Sequence, residues 1–248
     1  MTAKRIYNEY WKTLLMKENL HLRGEKMSFF IDNWIDELVS KIKKEYGDRV
    51  DFIGLQGSYK RNEAGDGSDI DIVVILNELT MQDLKKYQAI ISQMPYKEKA
   101  CGFISGKREI IGWEKSDLFQ FYYDTQPIYG SIDYLLPLID KADIRRAVKI
   151  GACNLYHGCC HNFLYEKSSE ILSALFKSVF FILQAKYFDE TNQYISSKVE
   201  LVKHLDGIDK EILNICMDRK KLAAMDETDL VSYYDKIISW SSNLLQSY

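Results

Sequence analysis

The sequence predicts an α+β protein: a small mixed β-sheet with flanking helices, followed by a C-terminal helical bundle. Three observations carry this. All three prolines, Pro95, Pro127 and Pro137, and most of the glycines fall between residues 47 and 137, so that stretch is punctuated by turns. Within it, Val50–Leu55 and Ile70–Leu76 are short apolar runs of strand length. From Lys141 to the end there is no proline, and apolar residues recur at helical spacing. The expected division is therefore a sheet-bearing domain over 1–138, including N-terminal helices, and a helical domain over 139–248.

The elements follow in order. Residues 3–46 are expected to form two amphipathic helices hinged near Gly24; in the second, Phe29, Ile31, Trp34, Leu38 and Ile42 share a face. A strand is expected over 50–55 and a second over 70–76. Thr80 and Asp83 have the spacing of a capping pair opening a helix that runs to about Met94. Leu118–Tyr123 is aromatic-rich, which suits a third strand. Helices are expected near 141–165, 168–189, 197–206, 209–221 and 228–246, with Ser168 and Thr228 as N-caps.

Composition removes several function classes. Hydrophobic residues make up 46% and charged residues 28%, enough to bury a core and too apolar for wholesale disorder. Lys+Arg is 33 against Asp+Glu 36, a mild acidity that argues against coating nucleic acid through a basic surface. No uninterrupted apolar run reaches the ~20 residues of a membrane span. The N-terminus lacks the apolar core of a signal peptide. Five cysteines, an odd number without framework spacing, suit a reducing compartment and a cytoplasmic protein.

The chemistry is concentrated in residues 54–74. A strand runs into Gly57-Ser58, ten residues intervene, and Asp69-Ile70-Asp71 opens a second, apolar strand. In a strand, residues i and i+2 project from one face, so Asp69 and Asp71 point together. Paired carboxylates repel unless a cation sits between them, and Mg²⁺ characteristically takes one or two carboxylates plus phosphate oxygens. Gly57 lets backbone approach a phosphate closely, and Ser58 adds a hydroxyl donor. Taken singly, Asp-x-Asp is a common solvated strand end and Gly-Ser a common turn. Their order, separation and attachment to strands give the combination its meaning.

This segment resembles the signature of the DNA-polymerase-β-type nucleotidyltransferase superfamily. The sheet-then-bundle order is similar to the bacterial aminoglycoside and lincosamide nucleotidyltransferases and to stand-alone minimal nucleotidyltransferases. The resemblance implies a metal-assisted transfer of a nucleoside monophosphate, AMP from ATP or another nucleoside triphosphate, to a hydroxyl of a small acceptor such as an aminoglycoside-like antibiotic. It implies two Mg²⁺ ions on Asp69 and Asp71, with Ser58 and neighbouring backbone N–H groups on the terminal phosphates. A third carboxylate on a neighbouring strand would bind metal or act as base. Asp117 fits that place, with Asp124 and Asp133 as rivals. Ile128-Tyr129-Gly130 also resembles a sequence of the antibiotic-modifying members.

Other positions carry two readings each. Lys60 and Arg61 either neutralise pyrophosphate or are solvated loop cations. Ser68 either orients Asp69 or forms the turn. Lys198, in Tyr194–Lys198, either reaches the triphosphate, as the family resemblance implies, or is an exposed helix-start lysine. Cys153, His157, Cys159, Cys160 and His161 have helical spacing that would suit zinc, but no second ligand group completes the set, and buried cysteines on a packed helix explain them as well. The 17 tyrosines either line an acceptor pocket or belong to core and surface. Two further functions stand beside the first: a protein-modifying minimal nucleotidyltransferase of a toxin–antitoxin pair, and a catalytically silent nucleotide-binding module. The sequence leaves the oligomeric state open.

Overall fold

The computed structural model of the chain describes residues 31–248; the first of the two expected N-terminal helices and Phe29 lie outside that range. The described residues fall into two compact units, 31–139 and 140–248.

In the first unit, helix α1 (Ile31–Tyr46) buries Trp34, Ile35, Leu38 and Ile42, one stripe of an amphipathic helix. Then come β1 (Val50–Gln56), the single turn α2 (Gly57–Lys60), β2 (Ile70–Leu76) and α3 (Met81–Ser92). They are followed by β3 (Ala100–Gly106), α4 (Lys107–Ile111), α5 (Lys115–Tyr123) and β4 (Gln126–Gly130). The sheet order is β3-β2-β1-β4. β1 runs antiparallel to β2 and β4, and β2 runs parallel to β3, so the sheet is mixed.

Strand alternation sorts the side chains onto two cores. Ile53, Leu55, Ile70, Ile72, Val74 and Leu76 pack with Trp34, Leu38 and Ile42 of α1. Phe52, Val73 and Ile75 pack on the other face with Ile110, Leu118, Ile132 and Leu135. Thr80 and Asp83 form the predicted capping box at the start of α3. Asp83 also takes both ends of the Arg49 guanidinium, at 2.9 and 2.8 Å. That pairing and the Thr80 bonds hold its carboxyl well below the usual range.

Two expectations for this unit are corrected. Leu118–Tyr123 is the C-terminal part of helix α5, not a strand. Leu118 and Phe119 are fully buried, and Phe121 and Tyr122 pack on the cluster that holds Leu118, an i, i+3, i+4 pattern that suits a helix as readily as an aromatic strand. The additional strands are instead β3 and β4, neither of which the apolar periodicity marks. β3 contains Gly102 at φ +140°, where an added Cβ would lie 2.0 Å from the Ile72 carbonyl oxygen. This glycine is a close-approach point between paired strands rather than a turn.

The second unit comprises α6 (Lys141–His161), a π-helical turn (Asn162–Glu166), α7 (Ser169–Thr191), α8 (Lys198–Leu201), α9 (Gly207–Asp218) and α10 (Glu227–Ser247). Asp140 and Asp143 form a capping box that opens α6, and the Ser168 hydroxyl accepts from Ile171 N at 3.1 Å to cap α7. Thr228 is not a cap: Asp226 occupies that place and Thr228 lies inside the first turn of α10. Helix α7 is long and apolar enough by composition to cross a membrane. Here Leu172, Leu175, Phe176, Val179, Phe180 and Leu183 are buried within the unit, as in the central helix of a bundle. An added Cβ on Gly151 of α6 would lie 2.6 Å from Ile182 Cγ1, so α6 and α7 approach closely there.

Candidate active site

Gln56, Gly57 and Asp71 meet at the end of the sheet where β1 stops and β2 begins. Gln56, the last residue of β1, pairs with Asp71. Val73 and Ile75 point into the core beneath α5, so Asp71, two residues before Val73, projects from that same face. Asp69 lies one residue before the strand. Both aspartates are half-buried.

Gly57 turns the chain from β1 into α2 at φ +70°, a conformation that favours glycine. A Cβ built there would sit 2.0 Å from Asp71 Oδ2. A side chain at position 57 would therefore have to displace the Asp71 carboxylate, in addition to the strain of a positive φ. The Ser58 carbonyl accepts from Glu63 N at 2.8 Å, closing the turn. Ser68 makes a turn with Gly65: its Oγ accepts from Gly65 N and its N donates to Gly65 O, both at 2.9 Å.

Lys60 and Arg61 are not solvated cations. Their side chains are 14% and 8% exposed and both pair with Asp124. Arg61 also reaches Glu63 at 3.4 Å. Asp124 ends α5, next to Thr125, whose Oγ1 accepts from Gln56 Nε2 at 2.6 Å. The acids proposed for a third carboxylate thus separate. Asp124 is engaged with the two cations. Asp133 follows the Gly130 end of β4, which pairs with Phe52 near the opposite end of β1, and it accepts from Tyr122 Oη at 3.0 Å. Asp117 is exposed, in the first turn of α5, two turns before the Tyr123–Thr125 end of that helix which meets Lys60 and Gln56. Desolvation of the carboxyl by the protein around it and the nearby Glu114 raise it above its ordinary value, against a hydrogen bond from Trp113.

The four strands carry two acids, Asp51 and Asp71. On β3, the register partner of Asp71 is Cys101, so a thiol stands where a neighbouring strand would place a third carboxylate. Among the described residues, no three His, Cys, Asp or Glu side chains gather as a metal-ligand set. That holds for the Cys/His cluster as well: Cys159 is buried, and burial with the adjacent Cys160 pushes its thiol up. Lys198 belongs to the second unit, where its Nζ lies 4.5 Å from the centre of the Phe180 ring.

Gln56, Cys101 and Thr125 are the site neighbours that sequence reasoning missed. Gln56 was findable, since it continues the alternation of Phe52 and Gly54 to the strand end. Cys101 and Thr125 required the pairing of β3 and the position of the α5–β4 junction.

Residues 35–138 match the family model described as the nucleotidyltransferase domain. A curated relative, the "Putative protein adenylyltransferase MJ1305" of Methanocaldococcus jannaschii, is 35% identical over 66 residues, 27% of this chain and 43% of that protein. The match therefore spans less than half the length of that relative. Among solved structures, the chain is similar to the spectinomycin adenyltransferase AAD(9) from Enterococcus faecialis, crystallised with ATP and spectinomycin. The TM-score is 0.50 at 15% identity, covering 87% of this chain and 99% of that one. At that identity the likeness is one of fold.

Proposed function

We propose that residues 35–138, which match the nucleotidyltransferase domain model, are a nucleotidyltransferase domain of the polymerase-β type and that the chain transfers AMP from ATP to a hydroxyl group of a small molecule. The observation that carries this reading is the meeting of Gly57 with Asp71: a glycine at positive φ brings the Gly57-Ser58 backbone against a carboxylate of the Asp-x-Asp pair. In the transfer, the acceptor oxygen bonds to the α-phosphorus and the bond to pyrophosphate breaks.

The donor set fits magnesium delivered with the nucleotide. Asp69 and Asp71 offer carboxylate oxygens, and the rest of such a coordination sphere comes from phosphate and water. Bound magnesium would neutralise the triphosphate and stabilise the attacking and leaving oxygens. Ser58, and Ser68 through the turn that positions Asp69, complete the nucleotide side. The assignment of Lys198 to the triphosphate rests on the family resemblance. Asp124 is engaged elsewhere, Asp133 is at the far end and β3 supplies no acid, so the proton of the acceptor hydroxyl is assigned to Asp117. Asp117→Asn is expected to lower kcat by about 10²-fold or more while Mg-ATP binding, measured calorimetrically, is retained.

The structural similarity to an adenyltransferase crystallised with ATP and spectinomycin supports an antibiotic-like acceptor. The 35% identity to a protein named as a protein adenylyltransferase supports a second reading, transfer to a protein side chain. Incubation with α-labelled ATP, magnesium and a panel of aminocyclitols, aminoglycosides, lincosamides and cell extract separates the two. Label on a small molecule supports the first reading and label on a polypeptide the second. The odd number and spacing of the five cysteines support a cytoplasmic setting.

A further inference from the structure

The turn that carries Gly57 and Ser58 is fastened on both flanks by two consecutive residues at the junction of α5 and β4. On one flank, Gln56 Nε2 donates to Thr125 Oγ1 at 2.6 Å. On the other, Lys60 Nζ lies 3.5 Å from Asp124 Oδ1 and donates to the Tyr123 carbonyl at 3.2 Å. Arg61 Nη1 donates to Asp124 Oδ2. Asp124 itself is 6% exposed, so one buried carboxylate gathers two nearly buried cations. Thr125 is held in turn, its hydroxyl donating to the Phe121 carbonyl.

We propose that Asp124 is a positioning residue for the nucleotide: through Lys60 and Arg61, and together with Thr125, it holds the Gly57–Lys60 turn against Asp71. The inference deepens the nucleotidyl-transfer reading and rests on it. The physical case is one of specificity. Buried ion pairs add little net stability, but they select one arrangement, because a displaced partner leaves charge uncompensated. A turn that meets Asp71 as closely as Gly57 does tolerates little displacement, and a site functions only when its supporting groups fix it. Gln56 and Lys60 bracket the turn, and both are tied to the same junction, so the junction sets where the turn sits.

The test uses the full chain, with Mg-ATP titrated by calorimetry, thermal unfolding followed in parallel, and kcat and KM for ATP measured on the identified acceptor. Asp124→Asn is expected to raise Kd and KM for ATP about tenfold or more, with kcat at saturating ATP within about threefold of wild type. Asp124→Glu restores most of the lost affinity. A folded Asp124→Asn protein that binds ATP as wild type does overturns the proposal, as does a fall in kcat with KM unchanged. Should Asp124→Asn fail to fold, Thr125→Val decides. It removes only the hydroxyl that Gln56 uses, so a Kd raised about threefold with the unfolding midpoint retained supports the brace, and an unchanged Kd overturns it. Absence of Mg-ATP binding by the wild-type protein would remove the nucleotidyl-transfer reading and the brace together. Wild-type binding with unaffected variants removes the brace alone.

Discussion

A single methyl group at position 57 would collide with the carboxylate of Asp71, at a Cβ–Oδ2 separation of 2.0 Å. Gly57→Ala is therefore expected to push the turn or the carboxylate aside. The cost is about 1–3 kcal/mol in stability from the strained backbone and about 10²-fold or more in kcat/KM for ATP, because the added methyl displaces the Asp71 carboxylate as well as the turn. Denaturant unfolding and steady-state kinetics on the same preparation check both. At this scale the sequence was partly legible. Gly57 and Asp71 are close in sequence and attached to paired strands, so their meeting could be read from spacing. Lys60 and Arg61 could not be understood that way. Their partner, Asp124, is more than sixty residues away, and a pairing across such a distance leaves no periodic mark.

Elements were legible where local chemistry and burial agree. The capping box of Thr80 and Asp83 is written in four residues, and β2 is apolar throughout apart from Asp71. Helix α5 and strand β3 went the other way. The aromatic run of α5 fits either period, and the glycines of β3 signal turns when the partner strand is unknown. The Arg49–Asp83–Thr80 network makes a prediction for α3. The Asp83 carboxyl is depressed by its partners, so its contribution is fully present above the unfolded value of about 4 and is lost as the pH falls below it toward the lower folded value. Relative to wild type, Asp83→Asn should lose about 1–2 kcal/mol near neutral pH. The difference should shrink on acidification below pH ~4, as followed by circular dichroism in denaturant.

The described residues form two units, each with its own core, and the helical unit was the more legible. It lacks proline, and its helices repeat a period that does not depend on distant pairing. Its core centres on α7, where Phe176, Val179 and Phe180 are fully buried. Phe180→Ala is expected to destabilise the chain by about 3–5 kcal/mol through lost burial and a residual cavity, seen as a lower denaturant midpoint with unchanged slope. The net charge of −3 is compatible with the proposed nucleotide-handling role, in which the paired aspartates would take the nucleotide with its metal. Such carboxylates draw a metal-bound triphosphate without a basic exterior.

The most direct test of the central claim, that Asp69 and Asp71 beside Gly57 handle the triphosphate, is magnesium-dependent pyrophosphate release from ATP in the presence of acceptor, compared between the wild-type protein and Asp71→Asn. Release by the wild type should stop on chelation and fall by about 10²-fold or more in Asp71→Asn, with the variant still folded. Equal release by a folded Asp71→Asn protein, or release indifferent to chelation, would contradict it.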